Sequence, residues 1–395
     1  MTRLSPLLRT ASLLSLSLLI LFVSSGCSLV YIRSKGEPPS CPQETPIPNT
    51  DVNPYGANFF LEQEVEEWKQ RKTLLMAQEA GLRWARQQFL WAEIEPKGKG
   101  EFVWEKYDHL VDLYEEYGFQ IIARLDWPPH WSRRDNSLPN APPDDLRDYA
   151  DFVYAFVSHY RGRIKYIEIW NEPNIWPEWG NRPVDPEGYV EMLRMAYLKA
   201  KEADPDVQVL SAPLAITFGQ EHPEPGKWIN INELQFLEEM YEAGASDYFD
   251  ILSANAFGMS SPPEEPPRED ILNFSRVLLL REIMERYGDC DKAIWFSEYG
   301  WNAAPADFPP ARLIWQRVTE EQQAGYTVRG IELARSQWSW AGVFNIWYFR
   351  QVGNIPPERP DYYFRMVDVD FTPRLLYDAV REVTSKQGSP TWRSA

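Results

Sequence analysis

Histidine and cysteine, the residues that most often carry metal and nucleophilic chemistry, are scarce here: 395 residues hold 4 of the first and 3 of the second. No group of His, Asp and Glu stands at metal-ligand spacing, and Cys41 and Cys290 are too far apart in sequence to form a metal motif, so no metal and no cofactor are expected. A glycine-rich phosphate loop is missing. So is a Gly-x-Ser-x-Gly elbow, which weighs against a serine hydrolase on an α/β scaffold. Positive charge is short as well, with 40 Lys and Arg against 58 Asp and Glu and a net charge of −18. An acidic surface without basic runs repels nucleic acid and anionic lipid, which sets aside a nucleic-acid partner and disfavours strongly anionic polysaccharides.

What the chain has in quantity is apolar and aromatic surface. Hydrophobic residues make up 44% and aromatics 14%, ample for a large core, and 17 residues are tryptophan. A tryptophan fills a core well, and in a loop its face stacks on the apolar side of a sugar ring. Composition leaves both uses open.

Residues 1–26 read as a signal peptide rather than as part of a fold. Arg3 and Arg9 form a basic start, 13–23 is an apolar run, and Ser24-Ser25-Gly26 places small residues ahead of Cys27. The pattern resembles a bacterial lipoprotein processing site, with Ser24 where such sites usually carry Leu, and would make a lipidated Cys27 the first mature residue. An uncleaved anchor over 13–32, about long enough to span a bilayer, and simple secretion are the other two readings. All three place the folded part outside the cytoplasm, as a cell-surface lipoprotein or secreted protein, and touch a membrane only through this segment. Residues 27–54 are expected to form a lipid-anchored or flexible tether, with prolines at 38, 39, 42, 46, 48 and 54. No sequence feature fixes an oligomeric state.

Over 55–385, short apolar runs alternate with helical patterns. Strands are predicted at 56–60, 84–89, 120–125, 166–170, 208–212, 251–256, 293–297 and 342–348. Helices are predicted near 62–80, 104–117, 143–160, 186–203, 233–244, 270–287, 319–336 and 373–384. Gly81 and Gly118 stand where a helix C-terminus wants a left-handed residue. Asp185-Pro186 and Thr372-Pro373 each pair a capping side chain with a first-turn proline, and Thr319 with Gln322 has capping-box spacing. Eight strand–helix units predict an α/β fold of the (β/α)₈ TIM-barrel type, a single catalytic domain followed by a tail at 386–395. An open doubly wound sheet is the alternative, which eight units disfavour. An oxidising compartment permits a disulfide between Cys41 and Cys290, which precede the first and seventh strands at the bottom of such a barrel.

Reactive side chains in these barrels sit at the C-terminal ends of strands. The fourth strand ends in Trp170-Asn171-Glu172-Pro173 and the seventh in Trp295-Phe296-Ser297-Glu298-Tyr299-Gly300-Trp301. A carboxylate at the end of an apolar strand is costly to bury without a partner, so either Glu alone reads as a salt bridge or as a functional group. Two whose strand ends converge above one core point to a pair about 5 Å apart, in which one carboxylate attacks an anomeric carbon and the other donates a proton.

Together with the 82–91 stretch Leu-Arg-Trp-Ala-Arg-Gln-Gln-Phe-Leu-Trp, Ile94-Glu95-Pro96, Phe102-Val103-Trp104 and Tyr107-Asp108, these strand ends resemble clan A of the glycoside hydrolases, the group containing families 5 and 39. The resemblance covers nearly the whole barrel. It implies that Glu172 is the general acid and later the base, and that Glu298 is the nucleophile. It further implies that Asn171 bonds the sugar 2-hydroxyl, that Arg86 lies beside Glu298 and holds it ionised, and that the anion nearby keeps Glu172 protonated. Trp347 would floor the subsite beside the cleaved bond. On strand six, where the clan often carries His-x-Tyr, this chain has Asn255-Ala256-Phe257. The tyrosine hydroxyl that would bond the nucleophile is then absent or comes from Tyr299 or Tyr348, and Asn255 and Arg86 are counted among the substrate contacts.

Long loops after strands three to eight carry Trp127, His130, Trp131, Trp176, Trp179, Trp228 and Trp301. Trp131, Trp176 and Trp301 are expected as sugar platforms, and His130 as a contact to a sugar hydroxyl or a structural hydrogen-bonder. The function implied is a retaining β-glycosidase acting on an extracellular oligo- or polysaccharide. A non-catalytic carbohydrate-binding lipoprotein on the same barrel and a transglycosylase are the alternatives. Xylan, mannan, β-glucan and galactan all fit as substrates.

Overall fold

A computed structural model describes Cys41 and residues 46–353 and 355–386. The predicted signal peptide, Cys27 and the tail beyond residue 386 lie outside the described residues. Eight parallel strands close a barrel: β1 (Tyr55–Phe59), β2 (Trp84–Leu90), β3 (Gln120–Asp126), β4 (Tyr166–Ile169), β5 (Gln208–Leu210), β6 (Ile251–Phe257), β7 (Ala293–Gly300) and β8 (Ala341–Ile346). Each strand pairs with the next in chain order, and β8 returns to β1 in the register Tyr55↔Phe344 to Ala57↔Ile346. The open doubly wound sheet is thereby ruled out. The surrounding helices are α1 (Glu67–Glu79), α2 (Glu105–Glu116), α3 (Leu146–His159), α4 (Pro186–Ala203), α5 (Glu233–Glu242), α6 (Val277–Arg286), α7 (Glu320–Gln337) and α8 (Leu375–Lys386).

Most of the start and stop signals act as the sequence predicts. Gly81 and Gly118 adopt the left-handed conformation, with φ of 79° and 73°. Asp185 accepts from the Gly188 backbone N–H at 2.9 Å and caps α4, while Thr319 and Gln322 make both bonds of a capping box at α7. Thr372 is an exception. Pro373 bridges to Val367 and α8 begins only at Leu375, so Thr372 caps nothing. The predicted helices at 62–80 and 270–287 begin late, each preceded by one turn of 3₁₀ helix, at Leu61–Gln63 and Phe274–Arg276.

Inside the barrel, Trp84, Ile122, Tyr166, Leu210, Ile251, Trp295 and Val343 form an apolar floor with a residue from each of β2 to β8. Its rings meet edge-on, with Trp84 centroids 5.1 Å from Tyr166 and 4.9 Å from Trp295. Two indole N–H groups point down from this floor and need acceptors. The backbone carbonyls of Asn49 and Asn53 supply them, at 2.8 Å to Trp295 and 2.9 Å to Trp84, and Ile47 and Val52 pack beneath. Residues 46–54, expected to end a tether, therefore plug the barrel bottom. Gly342 makes room for them: a Cβ there would lie 2.1 Å from the Trp295 indole nitrogen and 2.8 Å from the Asn49 carbonyl.

The plug is also tied covalently, by a disulfide that joins Cys41 to Cys290, 249 positions away in sequence, with Cα atoms 5.5 Å apart. Closing so long a loop restricts the unfolded chain, and its loss is expected to cost about 2–4 kcal/mol. Thermal melts with and without reductant check this. Reductant should lower the wild-type melting temperature and leave a Cys290→Ser variant unmoved, and a wild-type melt indifferent to reductant would count against the bond.

Candidate active site

Above the apolar floor the barrel turns polar. Arg86 on β2 is 2% exposed and uses all five of its N–H donors. Nε and Nη2 reach the Glu168 carboxylate, Nη1 reaches Asn58 Oδ1 at 2.9 Å and Glu298 Oε1 at 3.0 Å, and Nη2 also reaches Asn171 Oδ1 at 3.0 Å. Glu168, fully buried on β4, takes two further bonds from the hydroxyls of Ser253 and Ser297. Arg86 is thus the hub beneath the site. It has no donor left for a sugar, which corrects its place among the substrate contacts. Replacing it with Met strands a buried carboxylate, and unfolding measurements on Arg86→Met are expected to show a loss of about 3–5 kcal/mol. A loss under about 1 kcal/mol would mean that the network carries little of the fold.

The end of β4 is bent out of regular strand geometry. Trp170 and Glu172 have φ of 77° and 42°, a left-handed conformation that non-glycine residues hold only when their surroundings impose it. The restraints are visible. The Glu172 N–H bonds the Pro213 carbonyl at 3.0 Å, and the Trp170 indole bonds the Glu178 carbonyl at 3.1 Å. Asn174, with no exposure, clamps the Ala215 and Ile231 carbonyls at 2.9 Å each. This strain turns Glu172 into the barrel mouth with part of its surface accessible.

Glu298 is carried there by β7. Its Cα pairs in register with Asn255 on β6, and Asn255 in turn donates from Nδ2 to Glu172 Oε1 at 2.6 Å. The Asn255 side chain, from the position paired with Glu298, thus reaches Glu172, and the charge of Glu298 acts on Glu172. Asn255, 2% exposed, is a partner of Glu172, while its Oδ1 remains buried without an acceptor's partner.

Burial raises both carboxyls above the ordinary range, and their neighbours then separate them. The positive charges of Arg86 and Arg124 pull Glu298 back. Glu172 is pushed further, by burial first and then by the charges of Glu298 and Glu178, with Asn255 and Arg86 opposing. Arg86 therefore restrains a rise in Glu298 rather than driving it below its usual value, because burial outweighs the nearby cation. Neither expected tyrosine reaches Glu298. Tyr299 is buried with its hydroxyl on the Thr327 carbonyl at 2.6 Å, and the Tyr348 hydroxyl faces the Tyr362 carbonyl at 3.4 Å.

The remaining expected contacts divide. Asn171 Oδ1 is engaged by Arg86 and, at 3.4 Å, by Arg124, which turns its Nδ2 the other way. Trp347 follows β8 half-buried, with an indole N–H that has no partner. Trp176 is 53% exposed, as a platform requires, and His130 lies exposed at the rim. Trp131 is half-buried, edge-on to Trp91, with its N–H on the Glu95 carbonyl at 2.8 Å, so it braces a loop. Trp301 is no platform. It is 1% exposed, bonds the Ser261 carbonyl at 2.7 Å, and lies so close over Gly258 that a Cβ there would sit 1.9 Å from its ring. The sequence missed Glu168, Arg124, Asn140 and Glu178. Of these Glu168 and Arg124 each left a signal, a charge inside an apolar strand.

No protein-family model and no curated protein matches the chain. Solved structures do. A family 39 glycoside hydrolase from the gut symbiont Bacteroides cellulosilyticus WH2 superimposes with a TM-score of 0.62 at 20% identity, over 87% of this chain and 66% of that one. A monomeric β-xylosidase from Caulobacter crescentus CB15 gives 0.60 at 17% identity, over 85% and 68%. An exo-β-1,4-mannosidase from Opitutaceae bacterium strain TAV5 gives 0.54 at 16%, over 85% and 59%. The chain is thus a (β/α)₈ barrel, spanning about two thirds of the length of the first of these. Its fold is the one found in family 39 and related glycoside hydrolases.

Proposed function

We propose that the chain is a retaining β-glycoside hydrolase that cleaves O-glycosidic bonds of an oligo- or polysaccharide by double displacement. The observation that carries this is a pair of carboxyls at the ends of β4 and β7, both raised by burial, with Glu298 bonded by Arg86 and Glu172 bonded by Asn255 and pushed further by the charge of Glu298. In the first step Glu298 attacks the anomeric carbon while the Glu172 proton passes to the departing oxygen. In the second, Glu172 takes a proton from water, the resulting oxygen attacks the anomeric carbon, and the bond to Glu298 breaks. Part of the rise in Glu172 comes from the charge on Glu298, which disappears when Glu298 becomes an ester. Glu172 then becomes more acidic at the moment it must act as a base. In this reading the Nδ2 group of Asn171, whose Oδ1 is held by Arg86, bonds the sugar 2-hydroxyl, and Trp347 floors the adjoining subsite. The glycosidases among the similar structures support the reading through the shared fold.

We further propose that the barrel lies outside the cytoplasm, anchored through a lipid on Cys27 or secreted. The Ser24-Ser25-Gly26-Cys27 pattern supports this, as does a disulfide of the kind that persists in oxidising compartments. Incubation with a panel of 2-deoxy-2-fluoro β-glycosides bearing good leaving groups, followed by peptide mass mapping, tests the mechanism. One sugar is expected on Glu298. A label on any other residue, or no label from any sugar, would refute the assignment, and the second result would favour a non-catalytic binding protein.

A further inference from the structure

Trp315, in the loop after β7, has no part in the double displacement, yet the inward face of β6 leads to it. Side chains along that strand alternate. Ser253 bonds Glu168 and Asn255 bonds Glu172 inside the barrel, while Ala254 and Ala256 pack into the core shared with the helices. Phe257 is therefore the next inward residue, about 7 Å beyond Asn255 along the strand. It forms a small apolar cluster with Met259, Tyr348 and Phe364, separate from the floor and from the outer core. Trp315 and Trp347 both pack on this cluster, each half-buried. The Trp315 ring lies 6.0 Å from Phe257, tilted by 57°, and 5.4 Å from Phe364, at 89°. Neither ring lies flat on the indole. The loop is fastened just past it, where the Ser260 hydroxyl bonds Gln316 Oε1 at 2.5 Å and the Val318 N–H bonds the Asn302 carbonyl at 2.9 Å.

The two indoles stand by different members of the reacting pair. Trp347 bonds through its backbone N–H to the Tyr299 carbonyl at 2.8 Å, one residue past Glu298. Trp315 stands on Phe257, beyond the Asn255 that holds Glu172. The acid must reach the departing oxygen, so the group attached to that oxygen leaves on the Glu172 side. We propose that Trp315 is the platform for that departing group, and that the group is itself a sugar ring. The inference rests on the glycosidase reading and names its substrate class, an oligosaccharide with a ring on each side of the cleaved bond. An indole presents an apolar face to the C–H side of a pyranose and an N–H to one of its hydroxyls. Trp315 has both to give, since its ring is half-buried and its N–H has no hydrogen-bond partner among the described residues. Trp131 is half-buried too, but its N–H is taken by the Glu95 carbonyl. The same platform holds a sugar that arrives as acceptor in the second step. The acceptor hydroxyl gives its proton to Glu172, its oxygen bonds the anomeric carbon, and the bond to Glu298 breaks, so a new glycoside forms in place of the free sugar.

Reactivation of the trapped enzyme reads this platform directly. Wild type, Trp315→Ala and Trp315→Phe are each labelled with the 2-deoxy-2-fluoro glycoside that wild type accepts, freed of excess reagent, and followed as activity returns. The return is measured in buffer alone, with methanol, and with the methyl β-glycosides of xylose, mannose, glucose and galactose. At least one sugar is expected to speed it in wild type about tenfold or more over buffer, and methanol at the same concentration much less. Trp315→Ala should lose most of that acceleration. Trp315→Phe, which keeps an apolar face without the N–H, should retain part of it and serves as the readout if Trp315→Ala does not fold. What is compared is the ratio of the sugar rate to the buffer rate within each protein. A merely structural role would slow both rates and leave that ratio unmoved, which would overturn the proposal, as would a wild type in which no sugar outpaces methanol. If wild type takes no label on Glu298 from any sugar, the glycosidase reading falls and the platform with it. A labelled wild type whose ratio both variants reproduce overturns the platform alone.

Discussion

Glu298→Ala is expected to lose at least about 10⁴-fold in kcat on an aryl β-glycoside, the scale on which removal of a covalent nucleophile is felt. The loss should come from chemistry rather than unfolding. Arg86 keeps Glu168, Asn58 and Asn171 as partners when Glu298 is truncated, so the polar layer stays assembled. The shortened side chain opens space on the face from which the carboxylate attacked. Azide admitted to that space should restore turnover of an activated substrate and yield a glycosyl azide of inverted configuration, because only one displacement then occurs. Gln at the same position fills the space and should not be rescued. Turnover within tenfold of wild type, or azide product of retained configuration, would remove Glu298 from the role given to it.

The barrel and its reactive pair were legible because each leaves a local trace. Strand–helix alternation repeats eight times, and a glutamate closing an apolar strand stands out against its neighbours, as Glu172 and Glu298 do. Arg86 was legible only through the resemblance of its stretch to the clan's second strand, and its partners other than Glu298 were not. Nothing in the sequence says that a single guanidinium divides its donors among residues on β1, β4, β7 and just past β4, with Glu168 and Glu298 130 positions apart. The role of Arg86 had to come from coordinates.

What was misread depends on where a side chain points, or on contacts between distant loops. Trp301 and Trp176 look alike in sequence, each an aromatic just past a strand end. The first turns inward over Gly258 and the second stays out. Glu178 gave no signal at all. Its loop is held by contacts a sequence does not display, among them the Trp170 indole on the Glu178 carbonyl and the approach of Gly180 to Ala141. The proline-rich segment before β1 reads as a tether by composition, yet the floor's two indole N–H groups recruit the carbonyls of Asn49 and Asn53 and make its end part of the barrel.

Glu172→Gln is expected to separate substrates by leaving group. A sugar or alkyl alkoxide needs a proton as it departs, so its cleavage should fall by about 10²–10⁴-fold. A dinitrophenolate leaves unaided, so the first step should survive and the second, which needs the base, should become limiting, with a burst of phenolate before a slow steady rate. The alkaline limb of the wild-type kcat/KM profile should also vanish, since burial and the charges of Glu298 and Glu178 raise the Glu172 carboxyl and its ionisation disables the acid. The same shift has a signed effect on folding. A carboxyl whose folded pKa is raised contributes stability that is intact below its ordinary value of 4.5 and is lost as pH climbs through the raised one. Glu172→Gln has no such proton to lose. Its stability should match wild type in acid and exceed it by about 1 kcal/mol at neutral and alkaline pH. Equal pH–stability curves for the two proteins would mean that Glu172 is not held protonated by the fold, and the leaving-group dependence should then be absent too.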